Sequence, residues 1–349
     1  MAINKVNAMN EPEDDGTQQA ADANTESAPE LARDDASQEI SDPEMESDTD
    51  FESKIDKNDT APFVENPFIN VAEAAKTQPI TTKPTEPTVG DEPAIQVAFH
   101  CHVGRHRERN EDSCFSFVSE VGGHFKMQPF GLFVVADGMG GHADGHIASK
   151  IASRTAAHHI IDRLYLPLLQ DNEKVMQTPI QEVLETAVQL SNKAVYDYEP
   201  EMDSGTTLTI ALLLGHRLHV AHVGDSRLYM YANDKLERVT SDHSLVQRLQ
   251  DVGQLTEEEA TFYRYGHILL RAVGQSDEVE ADTYMRLLPK SGILLLCSDG
   301  VSGFISDAEI TEILSQDASV EKMADSVFAA AMSVGGFDNI TAIVVSFKL

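Results

Sequence analysis

Basic side chains are scarce in this chain. Its 349 residues include 26 Lys or Arg against 58 Asp or Glu, a formal net charge of -32. Nucleic acids and anionic membrane surfaces require clustered cations, so the deficit argues against either as a partner. Cysteine is scarce as well. Cys101, Cys114 and Cys297 are odd in number and lack metal-ligand spacing, so they read as reduced thiols of a cytoplasmic protein rather than a zinc site. No apolar run approaches the length of a membrane span, and the opening "MAINKVNAMNEPEDDG" holds no apolar stretch of signal-peptide length. Aromatics are nearly missing from residues 1–93, which carry three, all Phe, beside 23 acids and 6 bases.

That last shortage divides the chain. A segment so acidic and so poor in apolar bulk cannot offset its ordering entropy, so residues 1–93 are expected to be a disordered acidic tail. Its one apolar island, "APFVENPFINVAEAAK" (61–76), reads as a Pro-flanked patch of tail or a docking motif. The remainder, 94–349, is long enough for one domain with a sizeable core. Apolar residues alternate from Ile95 through Val97, Phe99, Cys101 and Val103, the period of a half-buried strand. Residues 143–165 and 178–198 read as helices. "TLTIALLLGHRLHVAHVGDSRLYMYAN" reads as two or three antiparallel strands. Thr256 and Glu259 form the Thr-x-x-Glu signature of a helix start. "GILLLCSDG" and "ITAIVVSFKL" read as further strands.

Aspartates recur at the edges of these apolar runs. Asp137 follows "FVVA", Asp225 follows "HVAHVG", Asp299 follows "ILLLCS", and Asp338 precedes "NITAIVV"; Glu111 and Asp112 precede another strand. One Asp at a strand end is ordinarily a turn or cap residue. Several brought side by side repel, at about 4 kcal/mol per pair at ~4 Å and an effective dielectric of 20. Either they lie apart or cations hold them together. With few Lys or Arg nearby, the economical cation is divalent, and an all-oxygen set favours Mg²⁺ or Mn²⁺. Gly138 after Asp137 and Gly300 after Asp299 leave the backbone unobstructed. The "GMGGHA" segment also fits a dinucleotide fingerprint. However, Asp137 stands where a pyrophosphate would approach, and no second strand supplies a ribose-binding acid.

Seven segments, "GRHRERNEDS", "VVADGMGGHADGHIAS", "SGTTLTIALL", "HVAHVGDSRLYMY", "TSDHSLVQRLQDVGQLTEEEA", "LLLCSDGVSGFI" and "GGFDNITAIVV", occur in the order and spacing of one family. Over residues 95–349 the chain resembles the metal-dependent protein phosphatases, the PPM or type 2C serine/threonine phosphatases, in their bacterial form. The resemblance implies an α+β fold, an α-β-β-α sandwich of two antiparallel sheets flanked by helices. It implies that Asp137 bridges two core ions, Mn²⁺ or Mg²⁺, with the Gly138 carbonyl as a ligand. It implies that Asp299 and Asp338 bind the second ion, that Glu111 and Asp112 hold metal-bound waters, and that Asp225 helps hold a third, weaker ion. Arg107 would clamp the substrate phosphate, and Asn339 would orient Asp338 or a water. Residues 242–275 match a flap beside the active site.

The chain departs from the family at two places. His146 stands where Glu is common, and Met139 stands where some eukaryotic members have a His, which leaves the leaving-group acid between His142 and a water near Asp225. His102, His158, His159, His219 and His222 read as surface or packing residues. The implied activity is hydrolysis of phosphoserine and phosphothreonine on proteins, by a water activated between two metals. The alternative is a catalytically weak binding or regulatory module, which would ordinarily lack some of the acids; none is missing here. Expected partners are phosphorylated proteins and a Ser/Thr kinase with its targets, and the expected state is a monomer.

Overall fold

The computed structural model describes residues 94–349 apart from 122–126, 141–143, 171–178, 199–203, 262 and 267. The expectations for residues 1–93 and for His142 therefore fall outside the described residues. The chain runs through β1 (Ile95–His102), β2 (Asp112–Ser119), β3 (Phe130–Gly140), α1 (Gly145–Ile160), a π-helical turn (Ile161–Tyr165), α2 (Leu166–Leu169) and α3 (Ile180–Tyr196). It continues through β4 (Ser204–Thr206), β5 (Leu208–Leu214), β6 (Arg217–Val223), β7 (Arg227–Ala232), β8 (Lys235–Arg238), α4 (Leu245–Asp251) and α5 (Glu257–Thr261). Then come β9 (Asp282–Leu287), β10 (Ser291–Cys297), α6 (Asp299–Ser302), α7 (Asp307–Leu314), α8 (Val320–Ser333) and β11 (Ile340–Lys348). One sheet has the order β1-β11-β10-β7-β8 and the other β2-β3-β5-β6-β9, with β4 paired to β3. Among the described residues the strand pairings are antiparallel.

The unbroken apolar runs of the central strands follow from burial on both faces. On β3, Phe133 and Val135 enter the layer between the sheets, while Leu132, Val134 and Ala136 pack under α1 and α3. On β5, Ala211 and Leu213 face the first layer and Ile210 and Leu212 the second. On β11, Ile343, Val345 and Phe347 face the other sheet, while Ala342 and Val344 meet the layer of α7 and α8. Three apolar layers thus alternate with two sheets and two sets of helices, which is the expected sandwich. α1 buries Ala148, Ser149, Ala152, Ser153, Ala156 and Ala157, small side chains that let it lie close to its neighbours. The Ser191 hydroxyl of α3 donates to the Ala152 carbonyl at 3.0 Å.

Local sequence sets the connections. Asn233 and Asp234 both take positive φ, 52° and 59°, and close the β7–β8 hairpin as a two-residue primed turn requires. Thr256 and Glu259 cap α5 as their spacing predicts. The Glu259 amide donates to Thr256 Oγ1 at 3.2 Å, and the Thr256 amide to Glu259 Oε2 at 2.9 Å. The segment carrying α4 and α5 is anchored at its ends, where Ser244 bridges to Leu269 and Val273 to Thr206. The helix expected over 143–165 ends regular winding at Ile160 and continues as the π-helical turn. The alternation on β1 holds only at Ile95 and Val97; Phe99 is 53% exposed and Cys101 is exposed too, because β1 is an edge strand and the inter-sheet layer runs out beneath it.

Phe133, with no exposed surface between the sheets, generates a prediction. Phe133→Ala should cost about 3–5 kcal/mol, read as a lower denaturation midpoint at unchanged slope, whereas Phe99→Ala should stay within about 0.5 kcal/mol. Equal shifts would remove the inter-sheet layer as a main source of stability.

Candidate active site

The acids at the strand ends meet where the two sheets come together. Asp112 and Asp137 are direct cross-strand partners on β2 and β3. Side chains so paired have Cβ atoms about 4.5–5.5 Å apart, and like charges there repel. Asp137 continues the alternation of Phe133 and Val135 toward the inter-sheet layer, where the Asp299 carboxyl of the opposite sheet lies near enough to repel it. Asp299 opens α6 directly after β10, and Asp338 precedes β11. Arg107 Nη2 donates to Asp338 Oδ2 at 2.7 Å, with about half of the Arg107 side chain exposed.

Hydroxyl-bearing residues fix the backbone of these acids. The Asp137 amide donates to Thr207 Oγ1 at 2.9 Å, and its carbonyl accepts from the Thr207 amide at 2.8 Å and Thr206 Oγ1 at 2.9 Å. Thr207 Oγ1 also meets Ser226 Oγ at 2.8 Å, which ties β3 to the residue after Asp225. Ser298 joins the sheets: its hydroxyl donates to Asp112 Oδ2 at 2.8 Å and accepts from the Thr341 amide at 3.1 Å. The Glu111 carbonyl accepts from Ser149 Oγ at 2.5 Å and from the Gly138 amide at 3.1 Å. Asn339 turns its side chain to the loop before β2. It accepts from the Glu111 amide at 2.7 Å and donates to the Val103 and Arg109 carbonyls at 2.9 and 3.0 Å. Its own amide donates to Asp338 Oδ1 at 2.8 Å. A Cβ on Gly138 would overlap the Gly145 carbonyl, and one on Gly300 the Asn339 carbonyl, so both sites exclude any side chain. The sequence pattern pointed to the acids and these glycines. It assigned no role to Thr206, Thr207, Ser226, Ser298 or Ser149, whose partners are distant in sequence.

The site is electrostatically strained. Burial raises Asp112 and Asp225 from 3.8 to about 7; Asp299 adds to both, and Asp242 to Asp225. Burial likewise holds Asp137 well above the ordinary carboxylate range, with Asp112, Asp299 and Asp225 adding repulsion. Asp299 is raised by burial and by Asp338. The hydrogen bond to Asp338 raises Arg107 in turn. Asp112 Oδ1 is buried without a hydrogen-bond partner. Among the described residues no three acid, imidazole or thiol groups are arranged around one point as a preformed metal cluster; the acids stand instead in contact pairs. Their chemistry fits a divalent cation all the same: buried oxygen donors, mutually repelling, with one oxygen unpartnered.

The family model described as Protein phosphatase 2C matches residues 104–335. The chain belongs to this family. The phosphatase is 38% identical over 259 residues to the serine/threonine phosphatase stp of Listeria innocua, covering 73% of this chain and 97% of that protein. It is 31% identical over 257 residues to the protein phosphatase PhpP of Streptococcus pneumoniae, covering 73% and 98%. The Mycobacterium tuberculosis serine/threonine phosphatase PstP/Ppp superposes with a TM-score of 0.61 at 34% identity, covering 73% of this chain and 99% of that one. A structure of the PstP catalytic domain in complex with 2 manganese ions superposes with a TM-score of 0.59 at 33% identity, with the same coverage. The chain is thus an enzyme of the serine/threonine protein phosphatase class, with the α+β sandwich that class carries.

The raised acids have a consequence for stability. Between the ordinary 3.8 and about 7, Asp225 keeps a proton in the fold that the unfolded chain has released. Its contribution therefore falls as pH rises through that window. In chelator-treated protein, Asp225→Asn should flatten the decline of Tm with pH across it. An unchanged slope would mean that this carboxyl is not under repulsion.

Proposed function

We propose that the phosphatase hydrolyses phosphoserine and phosphothreonine on proteins at the acidic junction of the two sheets, with two divalent ions, Mn²⁺ or Mg²⁺, held there. The observation that carries this reading is the convergence of Asp112, Asp137, Asp225 and Asp299, each pushed toward its protonated form by burial and by its neighbours. Asp137 and the Gly138 carbonyl, with Asp299 and Asp338, would hold the core ions. Glu111 and Asp112 would take their outer waters, and Asp225 a third, weaker ion. When bound, such ions make a water more acidic and offset phosphoryl charge.

The rest is the work of this chain's own groups. Arg107 stands at the mouth of the site, and its planar fork suits two phosphoryl oxygens. Thr206 and Thr207 hold the Asp137 backbone through three hydrogen bonds, so its carboxylate need not reorganise as charge develops. Asn339 fixes the loop that carries Arg107 and Glu111. The segment bearing α4 and α5 flanks the site and shapes substrate access. The 2 manganese ions bound by the PstP catalytic domain support the choice of cation. We further infer a monomer acting in the cytoplasm on targets of a Ser/Thr kinase, with residues 1–93 outside the catalytic domain. Among the described residues no helix is long and apolar enough to cross a membrane.

Asp299→Asn and Asp338→Asn should each abolish Mn²⁺-dependent turnover of p-nitrophenyl phosphate, and Asp137→Asn should be at least as severe. A chelator should silence the parent enzyme. Near-normal activity in any purified variant would sink the ligand assignment. Arg107→Ala should lower kcat/KM on a phosphopeptide by about 1.5–3 kcal/mol while calorimetric Mn²⁺ binding persists. If Arg107→Lys matched the parent, the two-pronged contact would be wrong.

A further inference from the structure

β1 and β2 are the outermost strands on the same side of facing sheets, β1 in one and β2 in the other. On β1 Cys101 stands on the same strand face as Ile95 and Val97, beyond the point where that face becomes exposed. On β2 Cys114 packs in the same inter-sheet layer, with Val118. Cys101 Sγ approaches β2 at the Asp112 carbonyl, two residues before Cys114, so the two thiols are neighbours across the sheets. Cys101 is exposed and Cys114 half-buried behind it, so a small solute meets one sulfur first and the second stands in reserve. Cys101 Sγ also lies 3.2 Å from Asn110 Nδ2 and 3.8 Å from the Asp112 carbonyl oxygen. Cys297 is fully buried in the layer against α7 and α8, out of reach of both.

We propose that Cys101 and Cys114 are a peroxide-modified pair, closing to a reversible disulfide that ties the two sheets together beside the acidic site and slows turnover there. The chemistry balances with a hydroperoxide as oxidant. The Cys101 sulfur attacks the O–O bond and becomes a sulfenic acid, and its thiol proton joins the departing oxygen to give water or, from an organic peroxide, an alcohol. The Cys114 sulfur then attacks the sulfenic sulfur, forming the S–S bond. Hydroxide leaves and combines with the thiol proton as water. Two neighbouring sulfurs are thereby drawn to a bond of about 2 Å. The shortening pulls on β2 two residues from Asp112, whose carboxyl grips Ser298 of the other sheet at 2.8 Å. The effect on turnover rests on the function proposed above; the crosslink itself does not.

The test treats the full chain with hydrogen peroxide, quenches with catalase, and counts free thiols in denaturant before peptide mapping. Free thiols should fall from three to one, with Cys101 and Cys114 in one crosslinked pair and Cys297 free. kcat on p-nitrophenyl phosphate should fall about tenfold and return with dithiothreitol. Cys101→Ser and Cys114→Ser should start at parental activity and resist the loss. Cys101→Ala repeats the test without a hydroxyl. Sulfinic acid at Cys101 with no crosslink, or a crosslink through Cys297, would overturn the pairing. A complete crosslink with undiminished kcat would overturn the regulation while leaving the phosphatase function intact.

Discussion

Repulsion among buried carboxylates is the constraint on which the rest of this molecule turns. Asp112 and Asp137 face each other across two strands, and Asp299 reaches Asp137 from the opposite sheet. Left as anions, such pairs would consume much of the roughly 5–15 kcal/mol that a domain has to spare. The three apolar layers hold the acids in place against that cost. Every strand bearing one of them runs through a layer sealed by the other sheet, by helices, or by both, so the acids cannot separate without opening a core. The site is therefore a strained point in a stiff frame, the arrangement expected where cations are to be held and preorganised.

Backbone proximity is the second condition. The Gly138 amide touches the Glu111 carbonyl, and the chain at Gly145 and at Asn339 runs so close to Gly138 and Gly300 that no side chain fits. The hydroxyls of Thr206, Thr207, Ser149 and Ser298 work in the same gaps, replacing water as partners of main-chain groups. The acids are consequently positioned less by their own rotamers than by the seating of the strands that carry them.

Much of this was legible in the chain's letters. The apolar runs ending in Asp137 and Asp299 marked strands covered on both faces, and their acids marked the sheet ends. The Thr256–Glu259 spacing marked a helix start that the hydrogen bonds reproduce. What was not legible depended on distant partners. Nothing near Ser298 announces Asp112, and nothing near Thr207 announces the Asp137 amide, because both contacts exist only once two strands are in register. Phe99 shows the reverse case: its alternation signalled an inward face, but only the position of β1 at the sheet edge decides whether anything lies beneath. The passage from α-helical to π-helical winding at Ile161 likewise has no signature in the amphipathic pattern.

The anchored segment between Ser244 and Leu269 has an evolutionary corollary. Its two ends are stapled side by side by a bridge, a second bridge joins Val273 to Thr206, and between the ends Arg238 Nη2 of β8 donates to Gln247 Oε1 of α4 at 2.8 Å. The entropic cost of closing such a loop grows only logarithmically, about 0.6 kcal/mol for each doubling of length. Residues added to or removed from the span therefore cost the fold little, and the acids of the site all lie outside it.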